Sequence, residues 1–183
     1  MSKDSTSMLF DAFAELLEYP SAQTKEKAQG FLEQVQVPPE AAEELEKFAR
    51  AIGQISLDRM QEVFTITFDM QPVCYPYVGY HLFGESYKRG AFMAQLNEAY
   101  HAIGYSAGLE LPDHLAVILR FIGLDSNNSE GEFCQALLGS GVSPALEKML
   151  KVFGAETENP YFWLLSALHQ LLVGAHEKEL THA

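Results

Sequence analysis

Three ionisable side chains and a proline stand together in the run Glu110-Leu111-Pro112-Asp113-His114-Leu115. Two carboxylates and an imidazole so closely spaced can donate and accept hydrogen bonds. Pro112 lacks an N–H and has a fixed φ, which predicts it at the first position of a helix. Asp113 is then expected in the first turn, beside the positive end of the helix dipole, with His114 just behind it and Glu110 on the approach. Chemistry alone leaves two readings open here. One is helix capping with no further role; the other is an exposed polar hinge that engages a ligand.

The elements that must position this hinge are helical. Behind it, Leu115, Ile118, Leu119 and Ile122 recur at helical spacing and predict a buried stripe. Before it, Phe92, Leu96, Ala99 and Ile103 predict one face of a long helix that stops at Gly104. Further upstream the stripes are Leu9-Phe10-Phe13-Leu16-Leu17, ended by Tyr19-Pro20, then Ala28-Phe31-Leu32-Val35, then Leu45-Phe48-Ala49-Ile52 opened by Pro39. Ser56 is expected to cap a fourth helix carrying Met60, Phe64 and Phe68. A loop with Pro72 and Pro76 leads to the crowded aromatic stretch Tyr77 to Phe83. In the last third, Ser129 and Glu132 have capping-box spacing, Gly139-Ser140-Gly141 is expected to break a helix, and Ser143 to cap the next. Asn159-Pro160 opens a final helix, and the tail from about residue 176 is expected to fray. Strict alternation is absent, so the expected fold is all-α: a single-domain multi-helix bundle over residues 1–183.

Composition excludes several function classes. The chain of 183 residues is 48% hydrophobic and 20% charged, which is globular. A net charge of -13 argues against nucleic acid, because phosphate is repelled, and suits a basic partner. Cys74 and Cys134 form no CxxC pair, so a disulfide framework is not expected and a buried apolar role is. No signal peptide or membrane span is legible, and the expected location is the cytoplasm, without stable membrane insertion. Neither GxGxxG nor GxxxxGK occurs, and the histidines do not pair at metal-binding spacing. By this census an enzyme is the weaker reading.

Several blocks, in order along the chain, resemble the assembly chaperones of molybdenum oxidoreductases, the superfamily of the NarJ-type nitrate reductase delta subunits and the TorD/DmsD chaperones. They are Leu16-Leu17-Glu18-Tyr19-Pro20, Glu62 to Asp69 ending in Phe-Asp, Tyr80-His81-Leu82-Phe83-Gly84-Glu85-Ser86 continuing to Arg89-Gly90, the Glu110 to Leu115 hinge, and Asn159-Pro160-Tyr161-Phe162. The resemblance implies a TorD-like helical bundle without turnover. It implies binding of the N-terminal peptide of a molybdopterin oxidoreductase catalytic subunit, which is held until its cofactor is inserted and, in the exported branch, kept from twin-arginine translocation. The molybdopterin belongs to the client. Carried over by block as peptide-binding residues are Glu110, Pro112, Asp113 and His114 at the hinge, with Tyr80, Phe83 and Gly84 at the aromatic junction. A monomer is the expectation, although dimers occur among relatives. The chain mixes features of both branches, which leaves the client open. The competing readings are a generic helical interaction or regulatory module and, more remotely, a nucleotide-dependent switch.

Overall fold

The computed structural model describes residues 3–34, 37–124, 131–154 and 157–181. Among them run α1 (Lys3–Leu16), α2 (Thr24–Gln34), α3 (Pro39–Gly53), α4 (Leu57–Phe68), α5 (Val78–Phe83), α6 (Tyr87–Ala102), α7 (Leu115–Leu124), α8 (Glu132–Ala136), a π-helical segment (Leu137–Val142), α9 (Ser143–Lys151) and α10 (Pro160–Thr181). No strand occurs among the described residues, and the all-α expectation holds. The chain forms two compact units: Met1–Leu17 with Pro76–Ala145, and Glu18–Tyr75 with Leu146–Ala183.

In the first unit α1 packs on α7. Leu9, Phe13 and Leu16 of α1 are buried, as are Leu115, Ile118, Leu119 and Ile122 of α7. Gly123 lets the two backbones approach, since a Cβ there would stand 3.1 Å from the Ser7 carbonyl oxygen. The Ser7 hydroxyl donates to the Gly123 carbonyl, and Arg120 faces Asp11 at 3.7 Å. On α6 the core face is narrower than the sequence suggests: Leu96 and Tyr100 are buried, whereas Ile103 is the C-cap and lies exposed. Gly104, at φ +72°, then reverses the chain, and the amides of Gly104 and Tyr105 bond back to His101 and Tyr100.

In the second unit α3 packs along α10. The local start signals work as expected there: Pro39 opens α3, and the Ser56 hydroxyl accepts from the Arg59 amide at 3.2 Å. Tyr161 of α10 sits among the rings of Phe48, Phe64 and Phe68, with centroids 4.9–5.9 Å away.

Three local expectations are corrected. Gly139-Ser140-Gly141 does not break the chain but lies in the π-helical segment, and Ser143 is itself helical rather than a cap. The reason lies at Pro144, whose missing N–H cannot serve Ser140. The widened turn instead lets Ser143 bond Leu138, five residues back. The N-cap of α8 is Gly131, without a side-chain bond, and Ser129 falls outside the described residues, as does Val35.

Candidate functional site

The hinge is built by bonds from far along the chain. Tyr77 and His114 form an isolated antiparallel bridge. The Val78 amide donates to the Asp113 carbonyl and the Leu115 amide to the Pro76 carbonyl, each at 2.8 Å. These bonds hold residues 113–114 against the entry to α5, so the segment cannot turn into helix where Pro112 would allow it. The helix therefore starts at Leu115, three residues later than expected, and neither Pro112 nor Asp113 is in its first turn. His114 does the capping: its carbonyl accepts from Ile118, and its Nδ1 accepts from the Ala116 amide at 3.2 Å.

Asp113 has no exposed surface. Its Oδ2 accepts from Arg89 Nε at 2.7 Å and its Oδ1 from Nη2 at 3.2 Å, a bidentate pair. The hydrogen bond that Arg89 donates to Asp113 holds the guanidinium above its ordinary pKa, against the opposing effect of burial. The same guanidinium lies over the Tyr77 ring at 5.2 Å and near the Tyr80 ring at 5.9 Å. Gly79 makes room for this cluster, because a Cβ there would come within 2.7 Å of Asp113 Oδ2 and 3.1 Å of Arg89 Cγ. The Pro112 carbonyl accepts from the Tyr100 hydroxyl at 2.7 Å, and burial pushes that phenol's pKa up.

Of the seven residues expected at the site, Asp113, His114 and Tyr80 gather at this cluster; Tyr80 and Asp113 meet through Arg89, and the His114 ring stands edge-on to Tyr77 at 5.5 Å. Pro112 contributes its carbonyl. Glu110 projects from an exposed loop beside Leu109, whose side chain is wholly exposed, and the chain turns there at Gly108 (φ +67°). Phe83 and Gly84 lie at the far end of α5. Phe83 is 38% exposed and meets Phe92 edge-on, while Gly84, at φ +62°, bonds Tyr80 O and ends the helix. Sequence reasoning missed the roles of Arg89, Tyr77 and Gly79. One signal was available: a carboxylate beside a buried apolar helix needs a cation, and Arg89 stood in a block already singled out.

The cluster is suited to holding the hinge backbone in one path. Cys74 is buried, and burial pushes its thiol up to about 12, far from a reactive thiolate. Among the described residues no group of His, Cys, Asp or Glu is arranged to hold a metal ion, and no helix is long and apolar enough to cross a membrane.

The family model for the nitrate reductase delta subunit matches residues 34–153, a stretch that includes both the α5–α6 junction and the hinge. Among solved structures, the chain is similar to an Archaeoglobus fulgidus protein described as a redox enzyme maturation protein. The TM-score is 0.62 at 21% identity, over 92% of this chain and 93% of that one. No curated protein matches. The likeness of structure establishes the shared fold, and the family match covers well over half of the sequence. The chain belongs to the nitrate reductase delta subunit family, within the superfamily of molybdoenzyme assembly chaperones.

Proposed function

We propose that this protein is a dedicated cytoplasmic chaperone that binds the N-terminal leader peptide of a molybdopterin oxidoreductase catalytic subunit and holds that subunit for cofactor insertion. It acts stoichiometrically, without turnover, as one domain and as a monomer. Where the client is exported, holding its leader delays twin-arginine translocation. The observation that carries this reading is family membership across residues 34–153, which takes in every hinge and junction residue named above. The similarity to a redox enzyme maturation protein supports it.

In this reading Glu110, His114, Tyr80 and Phe83 meet the peptide. Pro112, Asp113 and Gly84 fix the backbone that presents them. A leader rich in basic and apolar residues is drawn by the net charge of -13 and anchored by aromatic side chains. The test is calorimetric titration of the protein with the N-terminal peptide of each molybdopterin oxidoreductase in its host. One peptide is expected to bind, with an on-rate that falls as salt rises. Glu110→Ala and His114→Ala are each expected to weaken it by roughly 1–3 kcal/mol. Failure of every such peptide to bind contradicts the reading.

A further inference from the structure

The chain leaves α-helical geometry at Leu137–Val142, where the Ser143 amide reaches back five residues to the Leu138 carbonyl. An α-helix turns by about 100° per residue, so five residues would set Val142 about 140° away from Leu137. A turn closed five residues back places the fifth residue where an α-helix places the fourth. Val142 thereby joins Leu137 and Gly141 on one face, and all three are buried. Ser140, away from that face, is exposed. Gly141 fits closely, since a Cβ there would stand 3.4 Å from the Leu137 side chain. Glycines at 139 and 141 lower the intrinsic helix preference, so tertiary packing holds this turn.

The segment packs against α5. That helix has six residues, too few to keep its shape alone. Its entry is pinned at the hinge, where the Val78 amide donates to the Asp113 carbonyl and Gly79 lies against Asp113 and Arg89. Towards its end it meets α6, with Phe83 edge-on to Phe92. The π-helical segment gives α5 a further supporting surface. Tyr80 and Phe83 are carried by α5, and Gly84 ends it.

We infer that the π-helical turn is a positioning element for the peptide site: through Gly141, Val142 and Pro144 it seats α5, and α5 then holds Tyr80 and Phe83 in the pose that meets the peptide. Pro144 belongs to this set because its missing N–H opposes a continuous α-helix here. The inference rests on the proposed peptide-binding function and adds the part of the fold that sets its geometry.

The test compares deletion of Ser140, which leaves too few residues for the wide turn, with Ser140→Ala, which keeps its length. Hydrogen exchange is read at the His81 and Gly84 amides, which bond the Tyr77 and Tyr80 carbonyls, and along α7. The deletion is expected to speed exchange at His81 and Gly84 about tenfold or more and to leave α7 within about twofold of the parent. Ser140→Ala should match the parent throughout. Unchanged exchange in α5 overturns the inference, and so does an equal gain in α5 and α7, which marks general destabilisation. If the deletion variant does not fold, Pro144→Ala decides. It restores the amide at full length and should speed the same two amides about threefold or more, and unchanged exchange overturns the inference. In cells, the deletion variant should leave the client oxidoreductase with about a tenth of its molybdopterin or less, whereas Ser140→Ala should give normal content. Normal content with a loosened α5 overturns the link between turn and site and leaves the chaperone reading intact. Normal content in cells that lack the whole gene contradicts the chaperone reading itself.

Discussion

Two buried helices, α7 and α10, begin in different ways. The start of α7 is held by an ion pair: Asp113, wholly buried, is bound to Arg89 between the Tyr77 and Tyr80 rings. The start of α10 is held by neutral groups: Asn159 caps Tyr161 and bonds Thr67, and Tyr161 packs among three phenylalanines. A cap and apolar packing are enough to begin a helix. Charge at the α7 start is therefore beyond what helix formation needs, and a buried ion pair adds little net stability over an apolar pair. It does fix a specific backbone path for the hinge. The contrast separates a helix start held by a neutral cap and packed rings from one held by a buried charge pair.

The largest effect that bears on this contrast is expected at Arg89. Arg89→Met leaves the Asp113 carboxylate buried and unpaired, at a cost of about 3–5 kcal/mol. The double variant Arg89→Met with Asp113→Leu should recover most of that loss, giving strong non-additivity in denaturant melts. If the two single losses simply add, the pair is not coupled and the contrast fails. At the other helix start, Asn159→Ala removes a cap and a side-chain bond, and should cost about 1–2 kcal/mol. Its loss should be the same at low and high salt, since no charge is removed.

The smallest effect concerns Cys74 and alkaline pH. Its folded pKa, about 12, lies above its ordinary value of 9.0. The thiol's contribution is thus fully present below pH 9 and is lost as pH rises towards 12, because only the unfolded chain ionises easily. The loss should reach about 1 kcal/mol by pH 9.5. Urea midpoints across pH 8–11 should fall less steeply in Cys74→Ala than in the parent. Parallel slopes would show that Cys74 ionises freely in the native state.

What the sequence made legible, and what it hid, follows the reach of the forces involved. Apolar stripes and start signals act within a few residues, so Pro39, Ser56 and Asn159 mark their helices correctly. The beginning of α7 did not follow its local signal. Bonds from Pro76 and Val78, more than thirty residues upstream, override the preference of Pro112 for a first helical position. The same holds for the partner of Asp113, which lies 24 residues away at Arg89. At Gly139 and Gly141 the local signal for a break was real, yet the chain continues through a π-helical segment that accommodates Pro144. Of the candidate site, the hinge was singled out by its residue types and then by block resemblance, whereas Arg89, the cation paired with Asp113, is a tertiary feature.

Maturation of a molybdoenzyme is tested most directly by the molybdopterin content of each molybdopterin oxidoreductase purified from host cells with and without this gene. Without it, one catalytic subunit should be synthesised at its normal level, yet contain little molybdopterin and show no activity. A plasmid-borne copy of the intact chain should restore both. Full molybdopterin content in every such enzyme of the deletion strain would contradict the account.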